Sequence, residues 1–484
     1  MTFIVDSQFT IMLTFILSIV ALIAGFFIYG KFVERFFGAD DSRTTPAIAT
    51  PDGVDYVPMP TWKVFTIEFL NIAGLGPIFG AVLGAMYGPM AYLWIVLGCI
   101  FMGAVHDYFA GMLSLRHNGG SIPEIVGIYL GNGAKHTLRV FTLLLLILVG
   151  VAFVSGPAGL LATLTGGGLT YWLIGIFSYY ILATLLPINE IIGRIYPVFG
   201  AFLLIMAVAI GGAIIIKSAT GSLMLQELTF DTFKNFHANP TENLLIPMLF
   251  IVVSCGAISG FHATQTPMMA RCLTRESHGR HAFYGAMIAE GIVTMIWATA
   301  AMNYFGGVEG LNQIDDQGRD AAWIVNEICN SWLGKTGAVF AIIGVIVCPI
   351  TTGDTAFRSA RLTIADIFGI DQSSIVKRLM VTLPLFAVGY VMSAIKFATI
   401  WKYVGLSNQI LSVIILWTAA AYLKRIARPH WLLSIPAAFM TAVCVAYLLV
   451  APYKTGGLSL DVQWGYWVGI GSSLLLLIWF ARKK

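Results

Sequence analysis

Long apolar runs, each close to the length of a membrane-crossing helix, alternate with short polar stretches along most of the chain. A helix needs about 20 apolar residues to cross the hydrocarbon core. That rule predicts thirteen spans, at residues 9–29, 65–86, 90–115, 138–160, 171–187, 196–216, 243–268, 282–304, 336–357, 378–395, 398–423, 432–451 and 464–480. The longest connections, of about 36, 31 and 26 residues, join spans 1 and 2, 8 and 9, and 6 and 7. None has room for a soluble domain, so residues 1–484 are expected to form one transmembrane domain.

Two of the runs are interrupted. Residues 69–88 read FLNIAGLGPIFGAVLGAMYG, with Gly74, Gly76, Pro77 and Gly80 near the middle. Residues 244–271 read LLIPMLFIVVSCGAISGFHATQTPMMAR, with Gly256, Gly260, His262, Thr264 and Gln265 in mid-run. A helix broken at membrane depth frees backbone groups that lipid cannot satisfy; they must face protein, a water-filled cavity or a ligand. The breaks fall in spans 2 and 7, five spans apart, and those spans start on opposite sides. Spans 2–6 (65–216) and 7–11 (243–423) therefore divide into two five-helix units of inverted orientation, each opening on a discontinuous helix. That is the pattern of inverted-repeat secondary transporters. Residues 9–29 and 432–484 become peripheral helices.

Charge sets the orientation, because cytoplasmic loops carry an excess of Lys and Arg. With the N-terminus outside, Lys217, Lys234, Arg319, Lys335, Lys396, Lys402 and Lys454 lie outside and the other 21 of 28 lie inside. The C-terminus is then inside, and Asp315, Asp316 and Asp320 fall outside. The chain is 58% hydrophobic and 11% charged, with mean hydropathy +0.83, against about 25% charged for soluble proteins. Its net charge of +4 is scattered at helix ends, which offers nothing to nucleic acid; the partners expected are a small solute and the bilayer, with oligomeric state open. Six cysteines occur singly, without a CxxC pair, so neither disulfide nor metal site is expected. The first run ends in GFFIYGKFVERFF, without a small-residue cleavage site, and reads as a retained span rather than a signal peptide. No G-x-x-x-x-G-K-[ST] loop is present, which argues against an ATP-driven pump. No catalytic constellation or cofactor motif appears, so an enzyme is not expected.

The breaks carry the candidate chemistry. Half-helix N-termini suit a carboxylate, while unwound carbonyls suit a cation. Carbonyls around Ala73, Gly74 and Gly76 are candidates for Na⁺, and amides near Pro77–Phe79 for an anionic group. The glycines read as the place where backbone meets the cargo. On span 7, Gly256, Ser259, His262, Thr264 and Gln265 offer the same tools plus side chains. Intramembrane ionisable residues are functional candidates by default, and histidine titrates near neutral pH. His262 is accordingly either a substrate or proton ligand, or a satisfied interhelical hydrogen bond. His106 and Asp107 in span 3 serve either helix packing or a cytoplasmic gate or proton relay; as sequence neighbours they point in different directions and are not expected to face one cavity. In span 9, Thr351, Thr352, Asp354 and Thr355 supply hard oxygen ligands for a cation or proton, the alternative being an Asp354–Arg358 pair at i,i+4. Ser407, Asn408 and Gln409 in span 11 either bond between helices or touch substrate.

Six segments carry a resemblance. They are PDGVDYVPMPTWKVF (51–65), IAGLGPIFGAVLGAMYG (72–88), GAVHDYFAGMLSLRHNGGSIPEI (103–125), SCGAISGFHATQTPMMARCLTRE (254–276), PITTGDTAFRSAR (349–361) and WKYVGLSNQILS (401–412). With them the chain resembles the carbon starvation protein A family of bacterial inner-membrane transporters. The resemblance implies the amino acid–polyamine–organocation superfamily and its leucine-transporter-like fold. It also implies cation-coupled uptake of peptides or pyruvate during nutrient limitation, with H⁺ favoured for pyruvate. The chain is shorter than the long enterobacterial members, which carry additional C-terminal helices. In the superfamily fold the first and eighth core helices hold a sodium site; here those are spans 2 and 9, which places Thr351, Thr352 and Thr355 near Ala73–Gly76. The function expected is a cation-coupled importer. A gradient-independent facilitator or channel is the alternative, and a membrane sensor or enzyme lacks the domain it would need.

Overall fold

In lipid a backbone must satisfy its own polar groups, so spanning segments are helices or closed barrels. The computed structural model describes residues 12–185, 196–372, 374–395 and 397–482. It is helical, with no strand among the described residues. Arg194, Lys396, Lys483 and Lys484, which enter the charge count, lie outside them, as do residues 9–11 and 186–187 of the predicted spans.

In chain order the principal helices are α1 (Leu13–Phe27), α2 (Tyr29–Phe37), α3 (Thr61–Ile72), α4 (Ala81–Ala85), α5 (Met90–Arg116), α6 (Ile122–Leu130), α7 (Asn132–Thr165), α8 (Leu169–Leu185) and α9 (Tyr196–Ala219). Then follow α10 (Gly260–Ala270), α11 (Glu276–Tyr304), α12 (Val308–Asp316), α13 (Ala321–Phe368), α14 (Ile375–Met392), α15 (Phe397–Arg425), α16 (Trp431–Val450) and α17 (Val462–Arg482). Among the described residues ten helices are long and apolar enough to cross a membrane, α1 and α2 counting as one, and the bent pair α3–α4 makes an eleventh. α8 is apolar but has only 17 residues, and the run containing α10 is interrupted. The chain is a multi-pass membrane protein.

Burial separates centre from rim. In α11, 83% of the most apolar stretch is buried inside the protein, against 28% in the span formed by α1 and α2 and 22% in α17. α1 and α17 thus turn most of their apolar surface away from the rest of the chain, while α11 is enclosed by it. α16 lies between α15 and α17.

α13 is longer than the predicted span 336–357. Asp320 caps its start by accepting the Trp323 N–H at 2.9 Å. It bends at Gly334 (φ +66°) and ends at Gly369, whose left-handed φ of +63° lets Ile370 N–H reach the Ala365 carbonyl at 2.9 Å. The polar stretch Asp354–Arg361 stays helical because it is buried, not looped: Arg358 donates to the Ala183 carbonyl (3.1 Å) at the end of α8.

Both predicted breaks are real. α3 stops at Ile72, and the chain resumes as a π-turn, Gly76–Gly80, bent by 58° from the first half. In the second break a π-turn, Leu245–Leu249, and one short turn lead to an irregular stretch before α10 starts at Gly260. The freed backbone groups find protein partners. The Val253 carbonyl accepts the Trp94 indole N–H at 3.0 Å. Asn408 Oδ1 accepts the Phe261 N–H at 2.5 Å and the Ser259 hydroxyl at 3.1 Å. Gln409 Nε2 donates to the carbonyls of Ile258 (2.9 Å) and Phe250 (3.3 Å). On α3, the Leu70 carbonyl accepts the Thr352 hydroxyl at 2.9 Å.

The glycines make this closeness possible. A methyl group on Gly76 would lie 2.2 Å from Cys255 Cβ, and one on Gly80 3.1 Å from the Val252 carbonyl oxygen. The two breaks therefore touch each other. On Gly74 it would meet Phe153 at 2.5 Å, on Gly256 Thr294 at 2.1 Å, and on Gly103 the Ala257 carbonyl oxygen at 2.1 Å. In this conformation these glycines admit neighbouring helices, which differs from the expectation that they meet cargo.

On one side of the bundle the connections are tied together. Arg116 grips Glu276 through two bonds (3.0 and 2.9 Å) and also donates to the Gly38 carbonyl and the Tyr422 hydroxyl, both at 2.6 Å. Glu276 in turn accepts the Asp40 N–H at 2.8 Å.

Gly103→Ala forces its methyl onto a backbone carbonyl that cannot rotate away. It is expected to lower stability by about 1–3 kcal/mol, measured as thermal unfolding in detergent. Gly212→Ala, where the added methyl meets nothing within 4 Å, is expected to be neutral or to gain up to about 1 kcal/mol from helix propensity. Asn408→Ala strands the buried Phe261 N–H and should cost about 1–3 kcal/mol in the same assay; an unchanged midpoint would remove the capping role.

Candidate functional site

Beside the crossing of the two breaks, four ionisable side chains form a line. Asp107 on α5 is buried, and a buried carboxylate needs partners. Its Oδ1 lies 2.7 Å from His106 Nδ1 and its Oδ2 lies 2.8 Å from His262 Nδ1 on α10. A carboxylate only accepts, so both imidazoles donate from Nδ1 and present Nε2 as an acceptor. His262 Nε2 lies 3.4 Å from Glu290 Oε2 on α11, and neither that nitrogen nor either Glu290 oxygen has a hydrogen-bond partner. Two acceptors face one another there. Such an arrangement is stable only with a proton or another cation between them.

His106 and Asp107 thus join a single chain, contrary to the expectation from their adjacency. Neighbours on a helix diverge at Cβ, but an imidazole and a carboxylate reach far enough to close the gap, and His262 draws the carboxylate's other oxygen across to α10.

The second break adds Cys255. Its Sγ, the His262 ring nitrogen and a Glu290 oxygen all lie within 4.8 Å of one another, and all three residues are buried. Two more polar side chains wait one turn before the first break. Glu68 and Asn71 sit at i,i+3 on α3 and share a face; both carboxylate oxygens of Glu68 and both amide atoms of Asn71 are buried without partners.

The remaining candidates divide. Ala73 caps the end of α3, its N–H bonded to the Phe69 carbonyl at 2.9 Å. Pro77 has no N–H, and the amides of Ile78 and Phe79 both turn to the Leu75 carbonyl, at 3.3 and 2.8 Å. The donors proposed for an anion are thus spent within the π-turn. Thr264 donates to the Phe261 carbonyl (2.6 Å) and accepts from Gln265 Nε2 (2.7 Å), which leaves Gln265 Oε1 unpartnered. Thr352 does approach the first break, through the Leu70 carbonyl and against Gly74. Thr351 and Thr355 instead bond carbonyls of their own helix, at 2.7 Å (Cys348) and 3.0 Å (Thr352). Asp354, two residues from Thr352, points elsewhere, as i,i+2 positions do. Its Oδ2 accepts the Tyr196 hydroxyl at 2.6 Å, and no Asp354–Arg358 ion pair forms among the described residues. Asn408 and Gln409 reach the second break as caps of its backbone.

Sequence reasoning passed over Glu68, Asn71, Cys255 and Glu290. A signal existed for the two acids: FTIEFLN and AMIAEGIV each place a carboxylate inside an apolar run, and charge at membrane depth is expensive enough to be a functional candidate by default.

The chain is similar to several known proteins. A likeness of fold extends over 94% of the chain and 96% of a Na⁺-coupled sialic acid symporter solved in a substrate-bound, outward-open state, at 14% identity and TM-score 0.55. An uncharacterized membrane protein of Haemophilus influenzae is 44% identical over 62% of this chain and 93% of its own. The peptide transporter CstA of Bacillus subtilis is 25% identical over 85% of each chain. The pyruvate/proton symporter BtsT of Escherichia coli is 27% identical over 55% of this chain and 45% of its own. The model of the carbon starvation protein CstA family matches residues 10–163 and 157–333. Carrying that family's pattern over most of its length, the chain belongs to the carbon starvation protein CstA family.

Proposed function

We propose that this protein is a secondary active importer of a small organic nutrient, a peptide or pyruvate, driven by a cation gradient and called on in carbon starvation. The observation that carries the reading is the contact between two broken helices at Gly76 and Cys255, beside a buried chain of His106, Asp107, His262 and Glu290. Relatives named as a peptide transporter and a pyruvate/proton symporter support it.

On this reading all thirteen predicted segments cross the bacterial inner membrane, with the N-terminus outside and the C-terminus inside. Residues 65–216 and 243–423 act as inverted repeats that rock about the crossing point. Ser259, Thr264, Gln265 and the glycine breaks border the solute path when the helices part, and Asn408 and Gln409 hold the second break in shape. The coupling cation is either a proton or Na⁺. The histidine–carboxylate chain suits the first. The Leu70 carbonyl with Thr352, beside Ala73–Gly76, suits the second. Asp354, held by Tyr196, is a further proton carrier on this reading.

Proteoliposomes loaded against an imposed H⁺ or Na⁺ gradient should accumulate labelled pyruvate or dipeptide, and the ionophore that dissipates the coupled gradient should abolish accumulation. Uptake that merely equilibrates and ignores both gradients would replace the importer by a facilitator. His262→Ala is expected to lose transport while the protein still reaches the membrane. Full transport by that variant would reduce His262 to a packing role.

A further inference from the structure

We infer that Cys255, His262 and Glu290 form a binding site for a divalent d-block cation of the Zn²⁺ type, which pins the second break to α11. The three donors come from two elements that the sequence separates, which is why no ligand spacing announces them. Cys255 lies within the irregular stretch, His262 lies in the first turn of α10, and Glu290 lies on α11. Gly256 brings the elements together: Thr294, one turn from Glu290, occupies the space a side chain there would fill.

Four features point to a metal rather than to packing. First, the ligand atoms are unused: His262 Nε2 and both Glu290 oxygens are buried without hydrogen-bond partners. Second, the 3.4 Å between His262 Nε2 and Glu290 Oε2 is long for a hydrogen bond. It matches the edge of a tetrahedron with metal–ligand bonds of about 2.0–2.1 Å, which is about 3.4 Å. Third, His262 is oriented from behind. Its Nδ1 faces the Asp107 carboxylate at 2.8 Å, the carboxylate–histidine–metal arrangement that fixes the tautomer with Nε2 free to ligate. Fourth, charge balances: one thiolate and one carboxylate neutralise a dication, so the complex enters the low-dielectric interior without net charge. Ser254 Oγ and Asn408 Nδ2, each 3.9 Å from Cys255 Sγ, are placed to donate to the thiolate. Sulfur and imidazole select such metals over Na⁺, Mg²⁺ or Ca²⁺. Three protein ligands leave the fourth position for water or an anion.

The consequence is inhibition. A metal joining Cys255 and His262 to Glu290 ties the second break and the helix that follows it to the most enclosed helix, and holds the crossing closed. This consequence rests on the transport reading above; the binding does not.

Purified protein in detergent, titrated with Co²⁺, should take up about one ion per chain, with the visible bands of a tetrahedral site and a near-ultraviolet thiolate-to-cobalt band, and Zn²⁺ should displace it. Cys255→Ser should erase the thiolate band, and Glu290→Gln, which keeps the thiol, should retain it at affinity weaker by at least about tenfold, since a direct ligand is worth no less than the groups that orient it. Asp107→Asn should weaken binding by about 10–100-fold, as loss of an orienting carboxylate does. Cys444→Ser, in α16, should change nothing. A wild-type protein without cobalt bands, or bands that survive Cys255→Ser, overturns the site. In proteoliposomes Zn²⁺ should suppress uptake. Gradient-driven uptake with no cobalt signal refutes the metal site alone, and a cobalt signal with gradient-independent uptake refutes the transport reading alone.

Discussion

A backbone interrupted at membrane depth has no solvent to fall back on, and the structure follows from that constraint. Each break needs donors and acceptors brought from other helices, so the helices that supply them must come close. Trp94 reaches the Val253 carbonyl from α5, Asn408 and Gln409 reach the Phe250–Phe261 stretch from α15, and Thr352 reaches Leu70 from α13. Glycine is what lets those helices approach. At Gly76 against Cys255, and at Gly103 against the Ala257 carbonyl, there is no room for even one methyl group. Satisfaction of the backbone and tightness of packing are therefore one requirement seen from two sides.

The same enclosure governs the charged groups. Removing a carboxylate from water costs several kcal/mol unless partners replace the lost hydration. Asp107 meets that cost by holding two imidazoles at once. Glu290 and Glu68 do not, since each lacks a hydrogen-bond partner. Groups left in this state have an open position for a cation: Glu290 lies beside Cys255 in the second break, and Glu68 lies one turn before the first.

Much of this was legible in the chain, and what was not has physical causes. The apolar runs marked the long helices, ten of them and the bent pair among the described residues, because length and hydropathy are properties of a single segment. The breaks at Gly74–Pro77 and Gly256–Gly260 were legible for the same reason. The ends of α13 were not: Arg358 and Arg361 look like loop residues until the protein that buries them is known. Nor could the chain say which atoms glycine would admit, since Gly76 is explained by Cys255, far away in sequence. Asn408 was correctly singled out as polar in an apolar run, yet its task, accepting the Phe261 N–H, depends on a break in another helix. Glu68 and Glu290 were readable by the rule that favoured His262, and were overlooked because neither sits in a visibly irregular stretch.

The knot around Arg116 has a consequence of its own. One guanidinium joins the end of α5 to Glu276, Gly38 and Tyr422, which belong to three other stretches of chain. Its two bonds to a single carboxylate form a fork, which fixes orientation as well as distance. A fastening of that kind holds four stretches of chain in one register, so that none of them shifts without straining the others. Loosening that one guanidinium would therefore release the ends of several helices together rather than one at a time.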